Sequence, residues 1–115
     1  VTGVETVVIT TTERDATVIS LHGEIDEDHA PALAGALARA VSGGLPRTVV
    51  DLSGTGFVDS SVLHALLDAQ RAHTAAGVAL VLAGPLHTAV RRLFEVTGAS
   101  TVFRTADSLA TAVTC

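Results

Sequence analysis

Between Arg47 and Ala83 the sequence switches period twice, and this alternation constrains the fold more than any other feature. Arg47–Leu52 is a short apolar run, the stretch from Ser60 to Gly77 carries leucines at helical spacing, and Val78–Ala83 contains no polar residue. A strand lacking a polar face must be covered on both sides, the condition of an inner strand in a parallel sheet. Strand, helix and strand in that order predict a right-handed crossover unit.

The remaining segments extend the pattern. Val4–Thr12 and Thr17–Leu21, rich in Val, Ile and Thr, flank Glu13-Arg14-Asp15-Ala16 and predict a hairpin. A helix is predicted from His29 to Ser42, with Pro31 in its first turn, Leu33, Leu37 and Val41 on one face, and Gly43-Gly44 as its stop. In the second helix Leu63, Leu66, Leu67 and Gln70 face the sheet. Gly84-Pro85 turns into a third helix lined by Leu86, Val90, Leu93 and Phe94 and closed by Gly98. A last short strand is expected at Thr101–Phe103, and a small terminal helix from Asp107 through Leu109 and Val113. Residues 1–115 thus predict a single α/β domain, a mixed and mostly parallel sheet of four to five strands with about four helices. Aromatic residues are only 3% of the chain, so Val, Leu, Ile and Ala must build the core.

Chemistry concentrates in Val49–Leu67. The strand is expected to end in a turn at Ser53-Gly54, followed by an apolar hook, Phe57-Val58, and by Asp59-Ser60-Ser61 at the mouth of the second helix. Asp and Ser there accept amide protons of the first helical turn. The tandem hydroxyls lie beside the positive end of the helix, where a phosphate is well received. One hydroxyl suffices for capping, which leaves the second spare. These residues alone support both a plain cap and a modifiable serine. In the acidic run Glu24-Ile25-Asp26-Glu27-Asp28, Asp26 reads equally as a solvated loop residue and as part of a binding surface, whereas Glu27 and Asp28 read as solvated loop residues.

Other functions find little support. The net charge is −5 and the seven basic residues are scattered, which argues against nucleic-acid binding. His22 and His29 flank the acids, but no two histidines have the spacing of a helical zinc pair and Cys115 is distant, so neither a metal nor another cofactor is expected. No phosphate-binding glycine loop is present. Ser61 and His64 lie three apart on the helix, the one hint of a small serine hydrolase. The Gly-x-Ser-x-Gly pattern is missing, however, and a histidine on the same helix aligns poorly with a third orienting acid, so the chain is expected not to be an enzyme. No apolar run approaches the roughly 18 residues of a membrane span. Val1–Thr12 alternates like a strand rather than a secretory leader, and the lone cysteine suits a reducing compartment, so a cytoplasmic location without membrane insertion is expected.

Four segments together resemble a known family: Leu21-His22-Gly23-Glu24-Ile25-Asp26, Val49–Leu52 with Ser53, Phe57-Val58-Asp59-Ser60-Ser61, and Ala89–Gly98. Their order and spacing are similar to those of the STAS domain, and within it to bacterial anti-sigma factor antagonists of sporulation and general-stress pathways. The resemblance implies a partner that is both an anti-sigma factor and a serine kinase, and whose capture frees a sigma factor for transcription. It implies phosphorylation at the second hydroxyl, Ser61, with release of the partner and reactivation by a phosphoserine phosphatase. Asp26 matches the acidic residue beside the phosphorylation site, and Asp59 the Asp of the motif. Asp26, Asp59, Ser60, Val62 and His64 are the expected partner-binding residues. The family motif usually continues Gly-Leu-Gly, whereas this chain reads Val62-Leu63-His64. A branched Val62 beside the acceptor is expected to hinder a kinase, which suits an alternative, a non-switching STAS adapter in a stress-sensing or lipid-transport assembly.

Overall fold

The structure, a computed structural model, describes residues 8–114. Strands β1 (Val8–Glu13) and β2 (Ala16–Ile25) form the hairpin, followed by α1 (Ala30–Ser42), β3 (Arg47–Val58), α2 (Ser60–Ala76), β4 (Ala79–Ala83) and α3 (Thr88–Val96). A 3-10 turn (Ala99–Thr101), β5 (Arg104–Ala106) and α4 (Leu109–Ala112) complete the chain. The strands lie in the order β1-β2-β3-β4-β5. Only β1 is antiparallel to its neighbour, and all later pairings are parallel. The mixed α/β sheet and its four helices agree with the sequence reading. Residues 4–7 of the expected first strand, and Cys115, lie outside the described residues.

Period-two alternation sorts the strand residues onto two faces. Ile19, Leu21 and Ile25 of β2, Val50, Leu52 and Val58 of β3, and Leu80 and Leu82 of β4 form the larger core with Leu33 and Leu37 of α1, Leu66 of α2 and Phe94 of α3. Each such side chain contributes about 1.5–3 kcal/mol when fully buried. On the opposite face Ala16, Val18, Val49, Val81 and Ala83 meet Ala112 and Val113. Arg47 ties this terminal helix down, donating from Nη1 to the Val113 carbonyl (2.8 Å) and pairing with Asp15 (3.6 Å).

The ends of the strands depart from expectation. Ser53-Gly54 is not a turn: β3 runs on to Val58, and β2 runs on to Ile25 beside it. Two bulges account for this, since Ser20–Ile25 of β2 lies opposite Asp51–Val58 of β3, which carries two residues more. Gly54 fits the first bulge because a Cβ there would come within 2.9 Å of His22 Nδ1. The buried Thr55 hydroxyl donates to the Leu21 carbonyl at 2.8 Å and so satisfies an acceptor in the irregular stretch. The last strand is Arg104–Ala106, not Thr101–Phe103. Phe103 is instead a core residue whose ring centroid lies 5.8 Å from that of Phe94. Val41 is only half-buried, because it borders an open groove between α1 and α2.

Candidate functional site

Parallel pairing brings the carboxyl ends of β2 and β3 to one edge, with Ile25 opposite Val58. In open α/β sheets that edge is the usual place for ligands and partners. The residue after each strand is an aspartate, Asp26 and Asp59, and the Asp59 amide donates to the Ile25 carbonyl at 3.2 Å. Helix α2 therefore starts from a fixed point.

Asp59 is its N-cap. The backbone of Asp59 is extended (φ −99, ψ −178) and its Oδ1 accepts the Val62 amide at 3.1 Å. The carboxylate, rather than either serine, thus performs the capping expected of the hydroxyls. Ser60 is exposed and Ser61 partly exposed, and neither hydroxyl forms a hydrogen bond among the described residues. Val62 requires a correction: it is 0% exposed and packs in the larger core, so its side chain is no part of a partner-binding surface and does not crowd the hydroxyl from outside. His64 is exposed one turn further along α2 and makes no hydrogen bond to Ser61, so the pair lacks the geometry of a nucleophile and its base.

The acidic segment is ordered by its own contacts. Asp26 Oδ1 accepts the Asp28 amide at 3.0 Å, and His29 Nδ1 lies 3.0 Å from that carboxylate and 3.2 Å from the Asp26 amide. Asp26, Glu27 and Asp28 are exposed. The structure therefore brings Asp26, Asp59, Ser60 and Ser61 to one end of the molecule, with His64 at its margin.

Sequence reasoning missed two features. A shallow apolar trough adjoins Ser60, made by Phe57 of β3 and by Ala89, Leu93 and Val96 of α3, with Arg92 on its rim. The spacing of Ala89, Arg92, Leu93 and Val96 was the available signal, since these positions share one face of a helix. The N-terminal end of α3 is anchored to the same strand, where His87 Nε2 donates to the Ser53 carbonyl at 3.1 Å. The second feature is His73, which is 1% exposed beneath the far end of α2. Its Nδ1 donates to the Ala69 carbonyl (2.7 Å), since a carbonyl only accepts, and its Nε2 therefore accepts from the Thr48 hydroxyl (2.9 Å). Burial pushes its pKa below the usual histidine value, and the hydrogen bond to Ala69 offsets part of that shift.

Among the described residues no group of three or more His, Cys, Asp and Glu is placed to hold a metal ion. No helix among them is long and apolar enough to cross a membrane.

Sequence profile and fold match one family. A profile described as "Mlab, STAS domain" matches residues 9–105. An anti-sigma factor antagonist from Mycobacterium paratuberculosis is 31% identical, with a TM-score of 0.77 over 93% of this chain and 90% of that one. The chain belongs to the STAS-domain family of anti-sigma factor antagonists. More distant structures share its fold alone. An anti-sigma factor antagonist (STAS) domain protein from Planctomyces limnophilus is 21% identical, with a TM-score of 0.80 over 91% of this chain and 92% of that one. The Bacillus cell fate determinant SpoIIAA in its phosphorylated form is 22% identical, with a TM-score of 0.68 over 87% and 91%. No curated protein matches the chain.

Proposed function

We propose that this protein is an anti-sigma factor antagonist that binds an anti-sigma factor with serine kinase activity and is switched off by phosphorylation of Ser61. One observation carries the reading. Asp59 does the capping, so the Ser61 hydroxyl has no structural duty where it stands, partly exposed at the start of α2. A phosphate there adds about −1.5 to −2 charges beside Asp26 and Asp59 while meeting the favourable end of the helix dipole. The scaffold tolerates the modification, whereas a partner covering the same spot meets repulsion and an unpaired buried charge. That costs about 2–5 kcal/mol, enough to release a micromolar complex. Asp26, Asp59, Ser60 and His64 contribute to the docking surface, a phosphoserine phosphatase resets the switch, and the consequence is control of sigma-factor-dependent transcription in the bacterial cytoplasm.

The test is intact-mass analysis after incubation with ATP and purified candidate kinases of the same genome. One added phosphate, lost in Ser61→Ala, supports the reading; no addition with any of them, or addition that persists in Ser61→Ala, overturns it. A second reading, the non-switching STAS adapter, is favoured by the family profile bearing the Mlab description. It requires stable partner binding without phosphorylation. The burial of Val62 removes the steric argument that had supported it.

A further inference from the structure

The trough beside Ser60 contributes nothing to the switch as described so far. Phe57 is 46% and Val96 74% exposed, and they are two of the four large apolar side chains left exposed among the described residues. Helix α3 buries Val90 and Phe94 against the sheet. Leu93, half-buried at the edge of the larger core, and the exposed Val96 add a second apolar line facing Phe57. Apolar clusters with a polar rim mark interaction surfaces. Charge is also uneven around this end of the molecule, with Asp26, Glu27 and Asp28 in the segment after β2, Asp59 in the lining of the trough, and Arg91 and Arg92 on α3 beside a single acid, Glu95. Arg91 donates to the Leu86 carbonyl at 3.4 Å, while Arg92, on the trough's rim, makes no hydrogen bond or ion pair among the described residues.

Resting on the antagonist reading above, we infer that this trough receives a segment of the anti-sigma factor in which an apolar side chain stands next to a carboxylate. The apolar group lies against Phe57, Leu93 and Val96, and the carboxylate pairs with the Arg92 guanidinium, whose fork suits it. Phosphorylation then acts twice. The phosphate on Ser61, the residue after the rim residue Ser60, repels the partner's carboxylate and also draws Arg92 away from it. Release follows from competition for one guanidinium, and not from the acidic segment alone.

The experiment is a titration of purified candidate anti-sigma kinases of the same genome against wild type, Val96→Asp, Arg92→Glu and the remote control Val102→Asp. Val96 and Arg92 are exposed, so the variants keep the wild-type unfolding midpoint. Val96→Asp and Arg92→Glu are each expected to weaken binding about tenfold or more, while Val102→Asp leaves it unchanged. Wild-type protein that binds none of the kinases overturns the antagonist reading and the trough inference with it. Wild-type binding that survives both Val96→Asp and Arg92→Glu overturns the inference alone. A concentration-dependent dimer that Val96→Asp abolishes, with kinase binding intact, assigns the trough to a second copy and likewise overturns it.

Discussion

At its C-terminal end α2 closes on Gly77 in the left-handed conformation (φ 74), and one turn earlier His73 bridges the helix to Thr48 at the start of β3 from a buried position. At its N-terminal end the same helix is held by the Asp59 carboxylate and one strand-to-strand hydrogen bond, and its first two side chains are unengaged hydroxyls. One end gives both ring nitrogens of a buried histidine an internal partner, and the other leaves two hydroxyls open to solvent. Under the proposed function, the contrast separates stability from regulation along a single helix. Charge placed at the open end disturbs little, whereas charge placed at the closed end has nowhere to go.

Val62 is the exception at the open end, and it offers the strongest way to break the comparison. Val62→Gly, which restores the usual family residue, is expected to cost about 2–4 kcal/mol in urea unfolding, from a lost core side chain and added backbone freedom. It is also expected to leave phosphorylation at Ser61 no faster. Unchanged stability, or a faster kinase reaction, would mean that Val62 guards the surface after all.

His73 is the next test. His73→Leu strands the Thr48 hydroxyl in the interior and is expected to cost about 1–3 kcal/mol at pH 7.5. Because burial holds the folded pKa of His73 below the usual value of about 6.5, the unfolded chain binds the proton first as pH falls. Its contribution is complete above about pH 6.5 and declines toward the folded pKa, so wild type loses stability as pH falls below about 6.5. His73→Leu lacks that component, and unfolding midpoints measured across the range reveal it.

Smaller effects sharpen the picture at the other end. Asp59→Ala removes the cap and should lower stability by about 1 kcal/mol, visible as a shifted urea midpoint. Ser61→Ala should stay within about 0.5 kcal/mol of wild type in the same assay. A larger loss would give the hydroxyl a structural duty and weaken the case for a free acceptor.

Much of this was legible because caps and periods are local. Asp59 and Gly77 bound α2 as the sequence indicates, and the apolar run after Gly77 became an inner strand beginning at Ala79. What stayed hidden depended on neighbours. Ser53-Gly54 carries the same signal for a turn and for a bulge, and only the pairing of β2 with β3 decides between them. Thr101–Phe103 looked like the last strand because Phe103 is apolar, but that ring belongs to the core around Phe94, and the true edge strand is polar. Asp26, Asp59, Ser60 and Ser61 of the candidate site could be placed at one end from two strand-helix joints alone. Val62 could not, because the direction of a side chain in a first helical turn depends on which hydroxyl or carboxylate caps it. The trough was invisible for a similar reason, since Phe57 and Val96 meet only through the packing of α3 beside β3.

The two bulges of β3 also govern parity. Along a strand, neighbouring side chains point to opposite faces, and a slip of one residue exchanges them. With both extra residues present, Val58 is inside and Phe57 outside. Removal of a single residue between Ser53 and Gly56 would turn the tip over, sending Phe57 inward, Val58 outward, and the Asp59 carboxylate away from the amide it serves. Beyond the constraints on Gly54 and Thr55, this segment is therefore constrained in length, which it can change only in steps of two.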